Sequence, residues 1–107
     1  MSPTSIATCT IVEAELRYGA VKSSDPSTLS SLIDEVLAEV TVLTFDPASA
    51  REYAKLRASL EAAGNMIGGN DLLIASIALA HDLVVVTHNT SEFARVPGLT
   101  IEDWEIE

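Results

Sequence analysis

Hydrophobic positions along the chain follow two spacings, one typical of strands and one typical of helices. Short runs rich in β-branched residues predict strands, and apolar residues at helical spacing predict the helices between them. The predicted strands are Ile6–Thr10, Val40–Phe45, Leu83–Thr87 and Leu99–Trp104. The predicted helices are about Ile11–Ala20, Leu29–Val40, a segment from Asp46-Pro47 to Gly64-Asn65, Asp71–His81 and about Thr90–Ala94. Because strands and helices alternate, the pattern predicts an α/β domain with a mostly parallel sheet.

Helix starts and burial are also visible in the pattern. Ser23-Ser24-Asp25-Pro26 predicts a turn or cap, and Asp46-Pro47 predicts a helix start. An Asp side chain can cap the free amides there, and Pro fits the first helical position. The helix from Asp71 is apolar almost all round, so we expect it to be buried between other elements. Leu83–Thr87 is a continuous apolar run, typical of a parallel strand covered on both faces.

Composition is typical of one globular domain: the chain has 107 residues, of which 48% are hydrophobic and 21% charged. No apolar run approaches the ~20 residues that a bilayer span needs, and no secretory signal precedes the first strand. A single cysteine, Cys9, fits a reducing compartment, so we expect a cytoplasmic protein without membrane attachment. The net charge of -10 opposes loose adhesion to nucleic acid. It does not exclude a nucleic-acid enzyme whose acidic residues hold a metal.

Acidic and polar side chains follow the predicted strands, where ligands bind in open α/β sheets. Glu13 and Glu15 lie on the helix after the first strand, about 200° apart, so only one can face a site. We expect Glu15 to point inward and Glu13 toward water, although both could form a solvated face. The segment Thr87–Thr90 follows the apolar strand directly, and Asp71 heads the buried helix. These three places are the candidate positions for chemistry.

Each candidate also has a structural interpretation. Asp71 could be a helix N-terminal acid stabilised by the dipole, or a buried carboxylate that needs a partner such as Mg²⁺ or Mn²⁺. Asn89 could cap the following short helix, or offer a neutral oxygen to a metal. Glu92 is expected to be a surface charge, and His81 a cation at a helix end. His88, directly after the apolar strand, is a further candidate base or ligand.

At these residues the sequence resembles the PIN-domain ribonucleases of the VapC toxin type. Four segments carry the resemblance, and together they span nearly the whole chain in the order that the family has. They are Ile11–Ala20 with Glu15 at the acidic position, Ile67–Ala75 with Asp71, Leu83–Phe93 with Asn89, and the closing Val96–Trp104.

The resemblance implies a PIN-like three-layer sandwich and an Mg²⁺- or Mn²⁺-dependent endoribonuclease that cleaves RNA with an activated water. It implies that Glu15 and Asp71 are metal ligands and that Glu15, Asp71 and Asn89 form the catalytic set. Thr87, His88 and Glu92 would be auxiliary. The implied partners are the RNA substrate, a small VapB-like antitoxin and a second copy in a homodimer.

Two positions depart from the family pattern. Asn89 stands where the family has its fourth acidic residue, and no segment matches the family's opening strand, which lies in the middle of the sheet and ends in a metal-binding Asp. We therefore interpret residues 1–107 as a single PIN-like domain that is truncated at the N-terminus. Without that strand, Ile6–Thr10 and Leu83–Thr87 would lack a shared neighbour, and we expect impaired activity. The alternative is a non-catalytic remnant that binds an antitoxin or another partner protein.

Overall fold

Helices and short strands alternate along the chain, as the sequence predicts. The computed structural model describes residues 7–87 and 89–103. The elements are β1 (Ala7–Cys9), α1 (Thr10–Lys22), α2 (Pro26–Leu37), β2 (Thr41–Leu43), α3 (Pro47–Ala62), α4 (Gly69–Ala80), β3 (Val84–Val86), α5 (Thr90–Phe93) and β4 (Thr100–Glu102). Ile6, His88 and Trp104, which the sequence predictions include, lie outside the described residues. The chain divides into two compact units between Thr44 and Phe45.

The first unit contains β1, α1, α2 and β2. β1 and β2 form a two-stranded parallel sheet in which Thr8 is the partner of Val42. Helices α1 and α2 connect these strands and pack against each other, as expected for a crossover between parallel strands. Cys9 is buried at the end of β1, where it packs as a small apolar residue.

The second unit contains the largest apolar cluster of the described residues. Helix α4 lies at its centre, with Leu72 and Ala75 almost completely buried, and α3 packs along it. The buried residues of the cluster are Leu56, Leu60, Ile67, Leu72, Ala75, Ala78, Val85, Phe93 and Val96. The predicted burial of this helix is confirmed. Burial of one such Leu contributes about 1.5–3 kcal/mol, so the helix stabilises this unit.

The strands pair in two separate sheets. In the second sheet, β3 pairs in parallel with β4, and Val85 is the partner of Ile101. Within the described residues, β1 and β3 therefore share no sheet, while a missing central strand stays a prediction. The expectation that Leu83–Thr87 is covered on both faces is wrong at its end. Val85 is buried, but Val86 is 47% exposed. A run of valines indicates a hydrophobic segment, but it does not determine which elements cover each face of the strand.

Both Asp-Pro sequences begin helices, as predicted for Asp46-Pro47, and Asp25-Pro26 proves to be the cap among the two alternatives of turn or cap. Asp25 caps α2 and accepts a hydrogen bond from the Thr28 backbone N–H, and Asp46 caps α3 through the Ser49 N–H. Asp46 makes a further contact: its Oδ2 lies 2.9 Å from Nε2 of His81. His81 follows α4 as its C-terminal cap, as the sequence predicts. Its contact with Asp46 therefore joins the end of α4 to the start of α3.

The helices are short and have defined ends. α3 is 16 residues long and ends at Ala62, and Gly64 follows in the left-handed region with φ of 65°, where glycine is favoured. The predicted end at Gly64-Asn65 is thus confirmed. Among the described residues, no helix combines the length and hydrophobicity that crossing a bilayer requires.

Candidate active site

Asp71 and Asn89 meet at the amino end of α4. Asp71 lies in the first turn of α4, and Asn89 directly precedes α5. The Asn89 side-chain amide donates from Nδ2 to Oδ2 of Asp71 across 3.0 Å. The Asn89 backbone N–H donates to Oγ1 of Thr87 at 2.9 Å, which fixes the turn after β3. Three of the predicted site residues are therefore brought together within the second unit.

Asn89 does not act as the predicted helix cap. It occupies the N-cap position of α5, but within the described residues its side chain makes no capping hydrogen bond to that helix. The nearby carboxylate of Asp71 is a charged acceptor, and hydrogen bonds to charged groups are stronger than neutral ones. The Asn89 side chain is therefore directed to Asp71 and not to the helix that follows it.

Glu92, expected from the sequence to be a surface charge and from the resemblance to be an auxiliary residue, lies at the same cluster. Its Oε1 accepts a hydrogen bond from the backbone N–H of Gly68 at 2.6 Å. This bond, followed by a hydrogen bond shared with the Asp71 carboxyl, lowers the pKa of Glu92 below its usual value. The approach is close: a Cβ on Gly68 would stand 3.2 Å from that oxygen. Because Gly68 has no side chain, the Glu92 carboxylate can approach its backbone N–H.

Arg95 lies beside these acids, and the sequence reasoning missed it. Its Nη1 donates to the backbone oxygen of Met66 at 2.8 Å. Its positive charge also contributes to the lowered pKa of Glu92, after the contributions of Gly68 and Asp71. The sequence does contain one signal for Arg95, which is its position three residues after Glu92, since residues three apart on a helical turn are neighbours.

The glutamates of α1 lie in the first unit, and the expectation that Glu15 faces the site stays a prediction. Glu13 accepts a hydrogen bond from Nε of Arg17 at 2.8 Å and its side chain is 28% exposed, whereas Glu15 is exposed. Arg17, four residues after Glu13, covers that carboxylate and also reaches Asp34 on α2 at 2.7 Å. Convergence of Glu15 with Asp71 stays a prediction, because the two residues belong to different compact units.

Comparison with known proteins decides the family. Residues 2–99 match the PIN domain. The chain belongs to the PIN-domain family. Its relatives identify it, within that family, as a VapC toxin of the VapBC toxin–antitoxin type. It is 42% identical over 100 residues to Ribonuclease VapC2 of Rickettsia felis, covering 94% of this chain and 75% of that one. It is 41% identical over 90 residues to the tRNA(fMet)-specific endonuclease VapC of Shigella flexneri, covering 84% and 68%.

A solved structure agrees with this assignment of the PIN domain. The crystal structure of VapBC2 from Rickettsia felis bound to a DNA fragment from their promoter matches with a TM-score of 0.88 and 42% identity. The match covers 94% of this chain and 75% of that chain. The predicted PIN-like α/β fold is therefore confirmed.

The donor atoms of this candidate site have the chemistry that a hard cation prefers. Asp71 and Glu92 supply two carboxylates, and Asn89 carries an amide oxygen that a rotation of its side chain would present. Mg²⁺ is usually held by one or two carboxylates together with waters and substrate phosphates. Among residues 7–87 and 89–103, no three His, Cys, Asp or Glu side chains form a metal-holding group. The pair of carboxylates therefore fits a cation that keeps several of its waters.

Proposed function

We propose that this PIN domain is a divalent-metal-dependent endoribonuclease, with Mg²⁺ or Mn²⁺ as its cofactor. The observation that carries the proposal is the cluster at the amino end of a buried helix, where the Asn89 amide donates to the Asp71 carboxylate and the Gly68 N–H donates to the Glu92 carboxylate. The names of its relatives, ribonuclease and endonuclease, support RNA as the substrate class. Glu15 is proposed as a further metal ligand from the first unit.

Each residue has a distinct part in this proposal. Asp71 and Glu92 would hold the cation, which supplies a more acidic water and stabilises negative charge on the phosphodiester. Asn89 orients the Asp71 carboxylate through its amide, and Thr87 holds the Asn89 backbone in place. The Gly68 amide keeps Glu92 ionised and directed toward Asp71. His88 is proposed as an auxiliary residue on its position in the sequence alone.

The proposed protein partner is a VapB-type antitoxin. The solved relatives contain VapB together with VapC, as their VapBC names state. The net charge of -10 on this chain favours a basic segment on the partner. A homodimer is proposed from the resemblance as well, and the predicted truncation and impaired activity stay predictions.

Metal binding tests the site directly. Mn²⁺ is titrated into the 107-residue protein and into Asp71→Asn, and free Mn²⁺ is followed by its electron paramagnetic resonance signal. Asp82→Asn is the matched control, because Asp82 is an exposed acid at the other end of α4. Its φ of 56° is one that Asn tolerates equally well. We expect Asp71→Asn to lose measurable binding and Asp82→Asn to retain it.

Cleavage of an RNA substrate with added Mg²⁺ is measured on the same three proteins. Loss of cleavage in Asp71→Asn together with loss of Mn²⁺ binding supports the proposal. Equal Mn²⁺ affinity in the Asp71→Asn protein would refute it. A protein that binds a VapB-type antitoxin but neither takes up Mn²⁺ nor cleaves RNA would instead be the non-catalytic partner-binding form.

A further inference from the structure

We propose that Arg95 is a positioning residue of this site, which holds the loop before α4 so that Asp71 meets Asn89 and Glu92 in a fixed geometry. The inference rests on the proposed function, because it assigns Arg95 a role at the site formed by those three residues. Arg95 is charged, exposed and outside the set of acidic and polar residues that would bind the cation.

The loop Met66–Gly68 is held from the α5 side at two backbone atoms. Arg95 donates to the Met66 oxygen at 2.8 Å, and Glu92 accepts from the Gly68 N–H at 2.6 Å. Between these anchors, Ile67 is buried in the apolar cluster, with 7% of its surface exposed. Two charge-assisted hydrogen bonds and one buried side chain thus fix three consecutive residues of the loop.

The position of this loop determines where Asp71 lies. The oxygen of Gly68 accepts the hydrogen bond from the Leu72 N–H at 2.9 Å, which closes the first turn of α4. Asp71 lies within that turn, and its carboxylate is the acceptor for Asn89. A shift of Gly68 therefore moves the first turn of α4 and changes the distances from Asp71 to Asn89 and Glu92.

The charge of Arg95 has an effect on cation binding opposite to that of its hydrogen bond. A positive charge near Asp71 and Glu92 offsets the repulsion between the two carboxylates, and it also repels an incoming cation. If charge alone mattered, removal of Arg95 would strengthen Mn²⁺ binding. If the anchored loop matters more, removal would weaken Mn²⁺ binding. The sign of the change separates the two roles.

The experiment uses Arg95→Met, which removes charge and hydrogen bond, and Arg95→Lys, which keeps the charge and a donor. Arg57→Met is the control: it removes the same charge from the same unit, and Arg57 contacts Tyr53 and Glu61 on its own helix. Amide hydrogen exchange of Gly68 and Leu72 is measured without metal by nuclear magnetic resonance. Mn²⁺ affinity is then measured by titration.

We expect exchange at Gly68 and Leu72 to become about fivefold faster in Arg95→Met, as for the loss of one hydrogen bond. Mn²⁺ binding should weaken in the same protein, Arg95→Lys should restore both properties in part, and Arg57→Met should change neither. Unchanged exchange in Arg95→Met, or tighter Mn²⁺ binding, would overturn the inference. If the unsubstituted protein binds no Mn²⁺, the proposed function fails, and the exchange measurement still decides whether Arg95 holds the loop.

Discussion

Removal of the Asp46 side chain should destabilise the protein far more than removal of Asp25, although both residues cap a helix in an Asp-Pro sequence. Asp46 Oδ1 accepts from the Ser49 N–H at 2.8 Å and from the Ser49 hydroxyl at 2.7 Å, and its Oδ2 contacts His81. Ser49 is completely buried. Asp25 is exposed and accepts from the Thr28 N–H at 3.4 Å and from the Thr28 hydroxyl at 2.6 Å, but Thr28 is exposed too, so water can replace that acceptor.

The magnitude follows from the groups that each substitution leaves unsatisfied. Loss of an N-cap costs ~1 kcal/mol of the free energy of unfolding. Asp46→Ala also leaves the buried Ser49 hydroxyl without its acceptor, which adds about 1–3 kcal/mol. We therefore expect a loss of about 2–4 kcal/mol for Asp46→Ala and of about 0.5–1 kcal/mol for Asp25→Ala. The loss expected for Asp46→Ala is a large part of the free energy of unfolding of a typical domain, which is about 5–15 kcal/mol.

Urea unfolding followed by circular dichroism measures both losses, and the slopes of the transitions show whether the unfolding reaction has stayed the same. Asp46→Asn is a milder variant, because it keeps one oxygen for the Ser49 hydroxyl and remains measurable if Asp46→Ala does not fold. Its loss should lie between those of Asp25→Ala and Asp46→Ala. Equal losses for Asp25→Ala and Asp46→Ala would refute the reasoning, because burial of Ser49 would then contribute nothing.

Three further outcomes can be measured by the same unfolding assay. Gly68→Ala should lower the free energy of unfolding because its Cβ would crowd Glu92, whereas Gly69→Ala should not, since no described heavy atom lies within 4 Å of its Cβ. Hydrogen bonds from Ser49 and the contact with His81 lower the pKa of Asp46 from 3.8 to about 2. Stability should therefore fall as the pH decreases from about 4 to about 2, and Asp46→Asn should lose that part of the pH dependence. Arg17→Met should cost about 1 kcal/mol in low salt and less in high salt, because its two ion pairs are partly exposed.

Local patterns in the sequence predicted most elements of the fold. The two Asp-Pro caps, the end of α3 near Gly64 and the burial of α4 all depend on neighbouring residues, so a single sequence contains the information. The exposure of Val86 depends on which elements cover β3, and hydrophobicity alone does not determine that. The pairing of strands in two sheets is likewise a property of distant segments.

The candidate site was predicted in part. Asp71 and Asn89 were identified as site residues from their places at the ends of elements, and the structure brings these two together. The resemblance implied an auxiliary role for Glu92, but its contact with Gly68 was not predicted, and Arg95 was missed. The partners of these two residues are backbone atoms of Gly68 and Met66, more than twenty residues earlier in the chain. A backbone amide or carbonyl has no signature in the sequence, so contacts with it appear only in the folded structure.

The pairing of strands two by two has a consequence for handling the protein. Each three-residue strand pairs with one other strand in the described part of the chain. Strands at the edge of a sheet are places where a neighbouring molecule can add a strand. At neutral pH the charge of -10 keeps copies apart. Near the isoelectric point of about 4.4 that repulsion disappears, and we expect self-association to increase. Purification well above that pH, at low protein concentration, should keep the molecules dispersed.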